Sequence, residues 1–201
     1  MKLVLATENR HKVEELQKLL QGTQWELLSL RDFPGLVLPP EDGDTFQANA
    51  AIKSQFVYKQ TGCIALADDS GLMVDYLEGA PGVYSARFAG ENKDAAACNE
   101  KLLQLMAGVP MQKRTARFVS VIALTVSVEK TVFVQGSCEG IIAEGLSGTD
   151  GFGYDPLFFL PDLGKTMAEI TMEEKNKISH RGKAFQNILP YLQKLEQETE
   201  A

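Results

Sequence analysis

The chain is short of the residues that staple or metallate small proteins. Its three cysteines, Cys63, Cys98 and Cys138, are odd in number and far apart, so a disulfide framework is not expected. In apolar surroundings they read as buried thiols of a reducing cytoplasm. Two histidines and no close cysteine pair argue against a zinc centre. Any metal is then expected to be a hard cation on oxygen ligands. No apolar run approaches the roughly 18 residues needed to span a bilayer, and Met1–Asn9 is too short in apolar residues for a signal peptide. No membrane partner is expected. Basic excess is missing as well: a net charge of −7 argues against a nucleic-acid coat, which wants a basic face.

Cations are nevertheless clustered. Arg10-His11-Lys12 forms one group, and Lys175, Lys177, His180, Arg181 and Lys183 form another. Local clusters of this kind suit an anionic small ligand. At 201 residues, with 44% hydrophobic and 23% charged residues, the chain fits one globular domain, or two small lobes, with a sizeable core.

The stretch that orders the rest is Ile64-Ala-Leu-Ala-Asp68-Asp69-Ser70-Gly71. The run Cys63–Ala67 reads as a buried strand, with the two carboxylates where it ends. Adjacent side chains on an extended chain face opposite ways, so only one Asp can be buried on a given side. A carboxylate facing a core costs several kcal/mol unless it is paired or metal-bound. The competing reading is a plain turn, since Asp-Asp-Ser-Gly is ordinary turn chemistry.

Upstream, Lys2–Ala6 reads as a strand feeding a helix through Thr7-Glu8-Asn9, with Val13, Leu16, Leu19 and Leu20 on one face. Asn9 is a natural N-cap and Gly22 a stop. A strand-to-helix turn places free N–H groups and the positive dipole end together, an anion site to which Lys12 adds charge; a plain turn with surface lysines is the alternative. Trp25–Leu30 reads as a second strand, and 31–44 as an acidic loop carrying Glu41, Asp42 and Asp44. A helix follows, capped by Asp44 or Thr45, with Phe46, Ala50 and Val57 on one face. Asn49 and Lys53 share a face of it.

Downstream, the loop Gly79–Arg87 leads to a helix capped by Asn92 with the stripe Ala95, Cys98, Leu102 and Leu105/Met106. Thr115–Val128 and Thr131–Ile142 read as a long antiparallel hairpin turning at Glu129-Lys130, a backbone linking two lobes. The glycine-rich run Gly145–Asp155 matches neither the P-loop nor the dinucleotide fingerprint. It can wrap a flat ligand and offer Phe152 and Tyr154 for stacking. Pro156–Leu160 reads as a last strand. Thr171-Met-Glu-Glu174 is a capping box, and Ser179 caps a final helix bent at Pro190. His180 and Arg181 in that helix's first turn oppose its dipole, unless an anion is shared with them.

Together these motifs resemble the Ham1-like nucleoside triphosphate pyrophosphatases. The matching stretches are Ala6–Lys12, Gly43–Lys53 with Thr45-Phe46 and Asn49-Ala50, Ala67–Leu72, Ala80–Arg87, Gly151–Pro156 and Lys175–Arg181. Glu8 departs from the glycine common in that family, and Ala48 from a common glutamate.

The resemblance implies an α/β fold, two lobes around a long twisted mixed β-sheet with the active-site cleft between them. It implies a cytoplasmic, Mg2+-dependent homodimer that cleaves ITP, dITP and XTP to the monophosphate and pyrophosphate. By position, Thr7, Glu8, Asn9, Arg10, His11 and Lys12 would hold the triphosphate, with Lys53 nearby. Glu41 (or Asp42, if the loop slips by one) and Asp69 would bind Mg2+, Asp69 also serving as general base. Ser70, Arg87, Phe152, Gly153, Tyr154, Asp155, Lys175, His180 and Arg181 would contact the nucleotide. A Maf-type pyrophosphatase for standard nucleotides and a non-catalytic nucleotide-binding module are the alternatives.

Overall fold

A computed structural model describes residues 1–200, apart from the side chains of His11, Thr199 and Glu200. Alternation along strand β1 (Lys2–Leu5) decides the first layers. Leu3 and Leu5 pack into one apolar cluster, and Val4 with the following Ala6 packs into another. Such a strand is buried on both faces, as in sheets with helices on each side. β1 pairs in parallel with β2 (Glu26–Ser29) and with β3 (Ile64–Val74). Helix α1 (Arg10–Leu19) and the long helix α5 (His180–Glu200) cover the Leu3/Leu5 face through Leu16, Phe185, Ile188 and Leu192. Helix α2 (Phe46–Thr61) covers the other through Val57. Each fully buried Leu or Phe contributes about 1.5–3 kcal/mol.

The sheet has seven strands in the order β2-β1-β3-β4-β5-β6-β7. β4 (Thr115–Thr125) and β5 (Thr131–Ile142) are consecutive neighbours joined by five residues. A connection so short requires an antiparallel pair. β6 (Phe158–Leu160) and β7 (Lys165–Thr166) extend the sheet antiparallel, so it is mixed, as the resemblance implies. The chain divides into two compact units: Met1–Asp69, Ser120–Gly136 and the chain from Arg181 form the first, Ser70–Val119 and Ser137–His180 the second. The second unit has its own core, in which Leu72, Phe118, Ile142 and Phe158 meet Cys98, Leu102 and Met106 of helix α3 (Ala95–Leu105) and the turn after it.

Several expectations are corrected. The strand does not end at Ala67, and Asp68-Asp69-Ser70-Gly71 is not a turn: β3 runs straight through to Val74. It has a sheet neighbour on each side, and both carboxylates have partners, so nothing forces the chain to leave the sheet. Asp94, not Asn92, caps α3, its carboxylate accepting from the N–H groups of Ala96 and Ala97. Ala95 and Leu105 lie outside the buried stripe. Leu30 leaves the second strand for a 3₁₀ turn capped by Ser29. The hairpin turn is 126–130 rather than two residues, closed by the Val126 N–H on the Lys130 carbonyl. Thr45 rather than Asp44 caps α2, accepting from the Ala48 N–H at 3.1 Å. The Thr171–Glu174 capping box forms and opens a short helix α4 (Met172–Ile178). A second box, Thr166–Glu169, had the same spacing in the sequence and went unread.

No disulfide joins the cysteines, which stand as thiols. Among the described residues no helix is long and apolar enough to cross a membrane.

Candidate active site

Within the first unit, strand parity sorts the two adjacent carboxylates. Leu66 faces the α1/α5 side, and Ala65 and Ala67 face the α2 side. Asp68 shares Leu66's parity and meets α1 and α5; Asp69 shares Ala67's parity and meets α2.

Asp68 is 1% exposed. Its Oδ2 lies 2.8 Å from Lys12 Nζ and 3.5 Å from Arg181 Nε. Burial alone would raise its proton affinity, but Lys12, then Arg181 and Lys53, hold it well below the usual carboxylate range. Burial lowers the pKa of Lys12 while Asp68 opposes the shift. Arg181, 3% exposed, also lies 3.2 Å from Glu15 Oε2 of α1. The anion that the dipole argument demanded for Arg181 is therefore a pair of carboxylates. Glu15 went unread in the sequence, although its place three residues after Lys12 put both on one face of α1.

On the α2 side, Lys53 is buried at 6% exposure, on the same face as Asn49. Its ammonium donates to the Asp68 carbonyl at 2.8 Å and to Glu41 Oε1 at 2.5 Å, and lies 3.8 Å from Asp69 Oδ1. Glu41 and Asp69 are thus gathered around one ammonium, whereas Asp42 is exposed. Burial raises the pKa of Asp69, against Lys53 and a hydrogen bond from Asn49. Asp69 Oδ2 is buried with no hydrogen-bond partner.

These features fit a hard divalent cation. It would satisfy the orphan oxygen, oppose the protonation that burial favours, and find carboxylate oxygens on Asp69 and Glu41. No group of three metal-binding side chains exists among the described residues. Mg2+ suits such a sparse set, because it usually keeps water and phosphate oxygens as its other ligands.

The α1 entrance is built as expected. The Asn9 N–H donates to Thr7 Oγ1 at 3.2 Å, and the Asn9 carbonyl takes the first helical N–H, from Val13. Glu8 and Arg10 are exposed and line a cavity of about 180 Å3 with Glu14 and Arg31. The His11 side chain lies outside the described residues.

In the second unit the glycine-rich loop closes on Asp155. Its Oδ2 accepts the Phe152 N–H at 2.7 Å and the Lys175 ammonium at 2.5 Å. Gly151 has φ +79°, and a Cβ there would come within 2.2 Å of the same oxygen, so any side chain at this position is strained and must displace the Asp155 carboxylate. Lys175 Nζ also sits 4.7 Å from the centre of the Phe152 ring, which is 41% exposed. Tyr154 turns inward instead. It is part of the core, and its hydroxyl donates to the Ser85 carbonyl at 2.8 Å; burial raises its pKa. His180 is buried and stacks on Phe118 with ring centres 4.8 Å apart. Arg87 lies over the Tyr84 ring at 5.0 Å. Ser70 is half-buried in β3.

The sequence-read residues thus collect into two groups. In the first unit Lys12 and Arg181 meet at Asp68 on one side of β3, and Lys53 gathers Glu41 and Asp69 on the other; Phe152, Gly153, Asp155 and Lys175 meet in the second. Asp68 and Glu15 were missed as counter-ions, and Asn99, which donates to the Gly153 carbonyl at 2.9 Å, was missed altogether.

Residues 3–191 match the model of the Ham1 family. A dITP/XTP pyrophosphatase of Desulforamulus reducens is 53% identical over 195 residues, 97% of each chain. One of Listeria monocytogenes is 51% identical over 187 residues, 93% of this chain and 92% of that one. Among solved structures, a HAM1 protein from Coxiella burnetii superposes with a TM-score of 0.91 at 39% identity, covering 96% of this chain and 99% of that one. The Staphylococcus aureus Ham1 protein gives 0.88 at 38% identity, covering 96% and 98%.

Proposed function

We propose that this chain, which belongs to the Ham1 family, is a Mg2+-dependent pyrophosphatase of deaminated purine nucleoside triphosphates. It hydrolyses ITP, dITP and XTP to the monophosphate and pyrophosphate. The observation that carries the reading is Asp69: a half-buried carboxylate whose Oδ2 is buried without a hydrogen-bond partner, set among Lys53, Glu41 and Asn49.

Attack on the α-phosphorus needs positive charge on the triphosphate, a base to orient water, and exclusion of bulk solvent. Lys12, Lys53 and the N–H groups at the start of α1 supply the charge. Asp69 takes the proton of the attacking water, the oxygen that has no hydrogen-bond partner being free to receive it. Asp68 is bound to Lys12 and Arg181 and keeps them in place rather than reacting. Mg2+, when bound by Asp69 and Glu41, neutralises developing phosphate charge.

Base selection falls to Phe152, Asp155, Lys175, His180 and Arg181. The exposed Phe152 ring offers a stacking face. A 6-keto purine presents an acceptor where adenine presents an amine, so donors from Lys175, His180 or Arg181 favour it. A site built to hydrogen-bond one group can reject its lack by about 10⁴-fold.

The test is a panel of ITP, dITP, XTP, ATP, dTTP and UTP with and without Mg2+, scored for pyrophosphate. Selective, Mg2+-dependent release from the first three is expected. Preference for dTTP or UTP would point to a Maf-type activity, and absence of turnover to a binding module. Cytoplasmic location and dimerisation belong to the same proposal, with the 53%-exposed Tyr84 of the Gly79–Tyr84 loop in the contact. Sedimentation at twice the chain mass of 22.1 kDa supports the dimer, and a monomer at micromolar concentration removes it.

A further inference from the structure

Helix α3 buries Cys98 and Leu102, and beside them buries Asn99, only 7% exposed. Asparagine is a weak helix former with four hydrogen-bonding positions to satisfy. Here Nδ2 donates to the Gly153 carbonyl, 54 residues away, at 2.9 Å, and Oδ1 has no hydrogen-bond partner. A buried, half-satisfied carboxamide costs stability, so an apolar residue would serve the core better. Asn99 and Gly153 face a cleft of about 560 Å3 between the helix and the loop, lined also by Ala96, Leu103, Leu146 and Phe152. Gly153 has no side chain to pack there, and the Asn99 carboxamide is what reaches its carbonyl. The tethered carbonyl belongs to the residue between Phe152 and Tyr154, and Tyr154 is itself pinned in the core. Releasing the tether leaves Gly153 held only through its neighbours, Phe152 by Asp155 and Tyr154 by the Ser85 carbonyl, and loosens the loop between them.

We propose that Asn99 is a positioning residue for the base-binding loop, holding Gly153 so that the Phe152 ring stands ready to stack on the purine. It touches no substrate atom itself. This rests on the proposed function above and adds a residue that acts only on base recognition.

The experiment compares Asn99→Leu and Asn99→Asp, both near in volume and both lacking the donor, with the unaltered protein. KM for ITP is expected to rise about three- to tenfold, the worth of one hydrogen bond, with kcat little changed. Inhibition by the product pyrophosphate, which carries no base, should keep its inhibition constant. In the ligand-free protein, amide exchange at Gly151–Asp155 should quicken by a similar factor, while the melting temperature of the leucine variant holds or rises. An unchanged KM, or pyrophosphate inhibition weakening in step with KM, overturns the proposal. Unchanged amide exchange overturns it whatever the kinetics. Failure of the unaltered protein to form inosine monophosphate refutes the functional reading instead, and the exchange measurement still decides whether Asn99 holds the loop.

Discussion

Asp68 and Asp69 are neighbours on β3 that face opposite sides of the sheet and differ in opposite directions from an ordinary aspartate. Lys12 and Arg181 keep Asp68 ionised; burial raises the pKa of Asp69. The pair should therefore separate under the same substitution. Asp69→Asn removes the base and a metal ligand but leaves the packing of β3 intact. Its kcat should fall at least about 10²-fold, with little change in melting temperature. Asp68→Asn leaves Lys12 without its carboxylate and Arg181 with Glu15 alone, and should cost about 3 kcal/mol of stability. Kinetics and urea unfolding on both variants check this; full turnover by Asp69→Asn would remove it from the mechanism.

Why the sequence misread this stretch is instructive. Alternation in Lys2–Ala6 and the continuous apolar run Cys63–Ala67 were legible as strands, and so was the rule that only one Asp can face a given side. Turn propensity then competed with sheet pairing over Asp68–Gly71, and pairing on both edges won. Local signals also identified the helix faces of α2 and α5 and the capping box at Thr171. Glu15 and Asn99 were illegible for a different reason. Their partners are 166 and 54 residues away, and a charge or amide on a helix gives no local sign of a distant carbonyl or guanidinium. Tyr154 looked like a stacking ring, but its burial depends on where the Ser85 carbonyl lies.

Arg181 stands between Asp68 and Glu15. Its guanidinium is thus oriented from two sides, and a single ammonium cannot reproduce that fork. Arg181→Ala should raise KM for ITP more than for ATP, by about 2 kcal/mol in kcat/KM for ITP, the scale of a charged hydrogen bond. Glu15→Gln removes one of the two carboxylates and should move the ITP/ATP ratio the same way by less. Equal losses for both substrates would make the arginine a phosphate ligand.

Arg114 gives a prediction about stability alone. It is 2% exposed and donates to the carbonyls of Ile142 at 2.6 Å, Met106 at 2.7 Å and Ala143 at 2.8 Å, joining the end of α3 to the end of β5. Arg114→Met takes a donor from each of these carbonyls, only Met106 keeping another, the Val109 N–H, and should cost about 3 kcal/mol. Arg114→Lys should recover only part of it, since one nitrogen cannot span the three. Denaturant unfolding measures the loss, and kcat of the folded fraction should be unchanged. A methionine variant as stable as the parent would show that the carbonyls find other donors.

Gly151 links backbone conformation to substrate choice. Its φ of +79° is open to glycine and strained for other residues, and an added Cβ would meet Asp155 Oδ2 at 2.2 Å. That oxygen cannot retreat easily, because it holds both the Phe152 N–H and the Lys175 ammonium. Gly151→Ala must therefore break the Asp155 contacts or re-route the loop, and either frees Lys175 and the Phe152 ring it covers. The strain is of the order of 1–3 kcal/mol. Tyr154 anchors the far end of the loop in the core while Gly151 lies at its exposed end, so the cost should appear in function as well as in melting temperature. KM for ITP should rise about tenfold or more, and discrimination against ATP should narrow with it. Asp155→Asn, which keeps the volume and loses the charge, should show the same narrowing without the backbone strain. If Gly151→Ala leaves both KM and discrimination intact, the loop does not set base recognition, and selection must lie with His180 and Arg181.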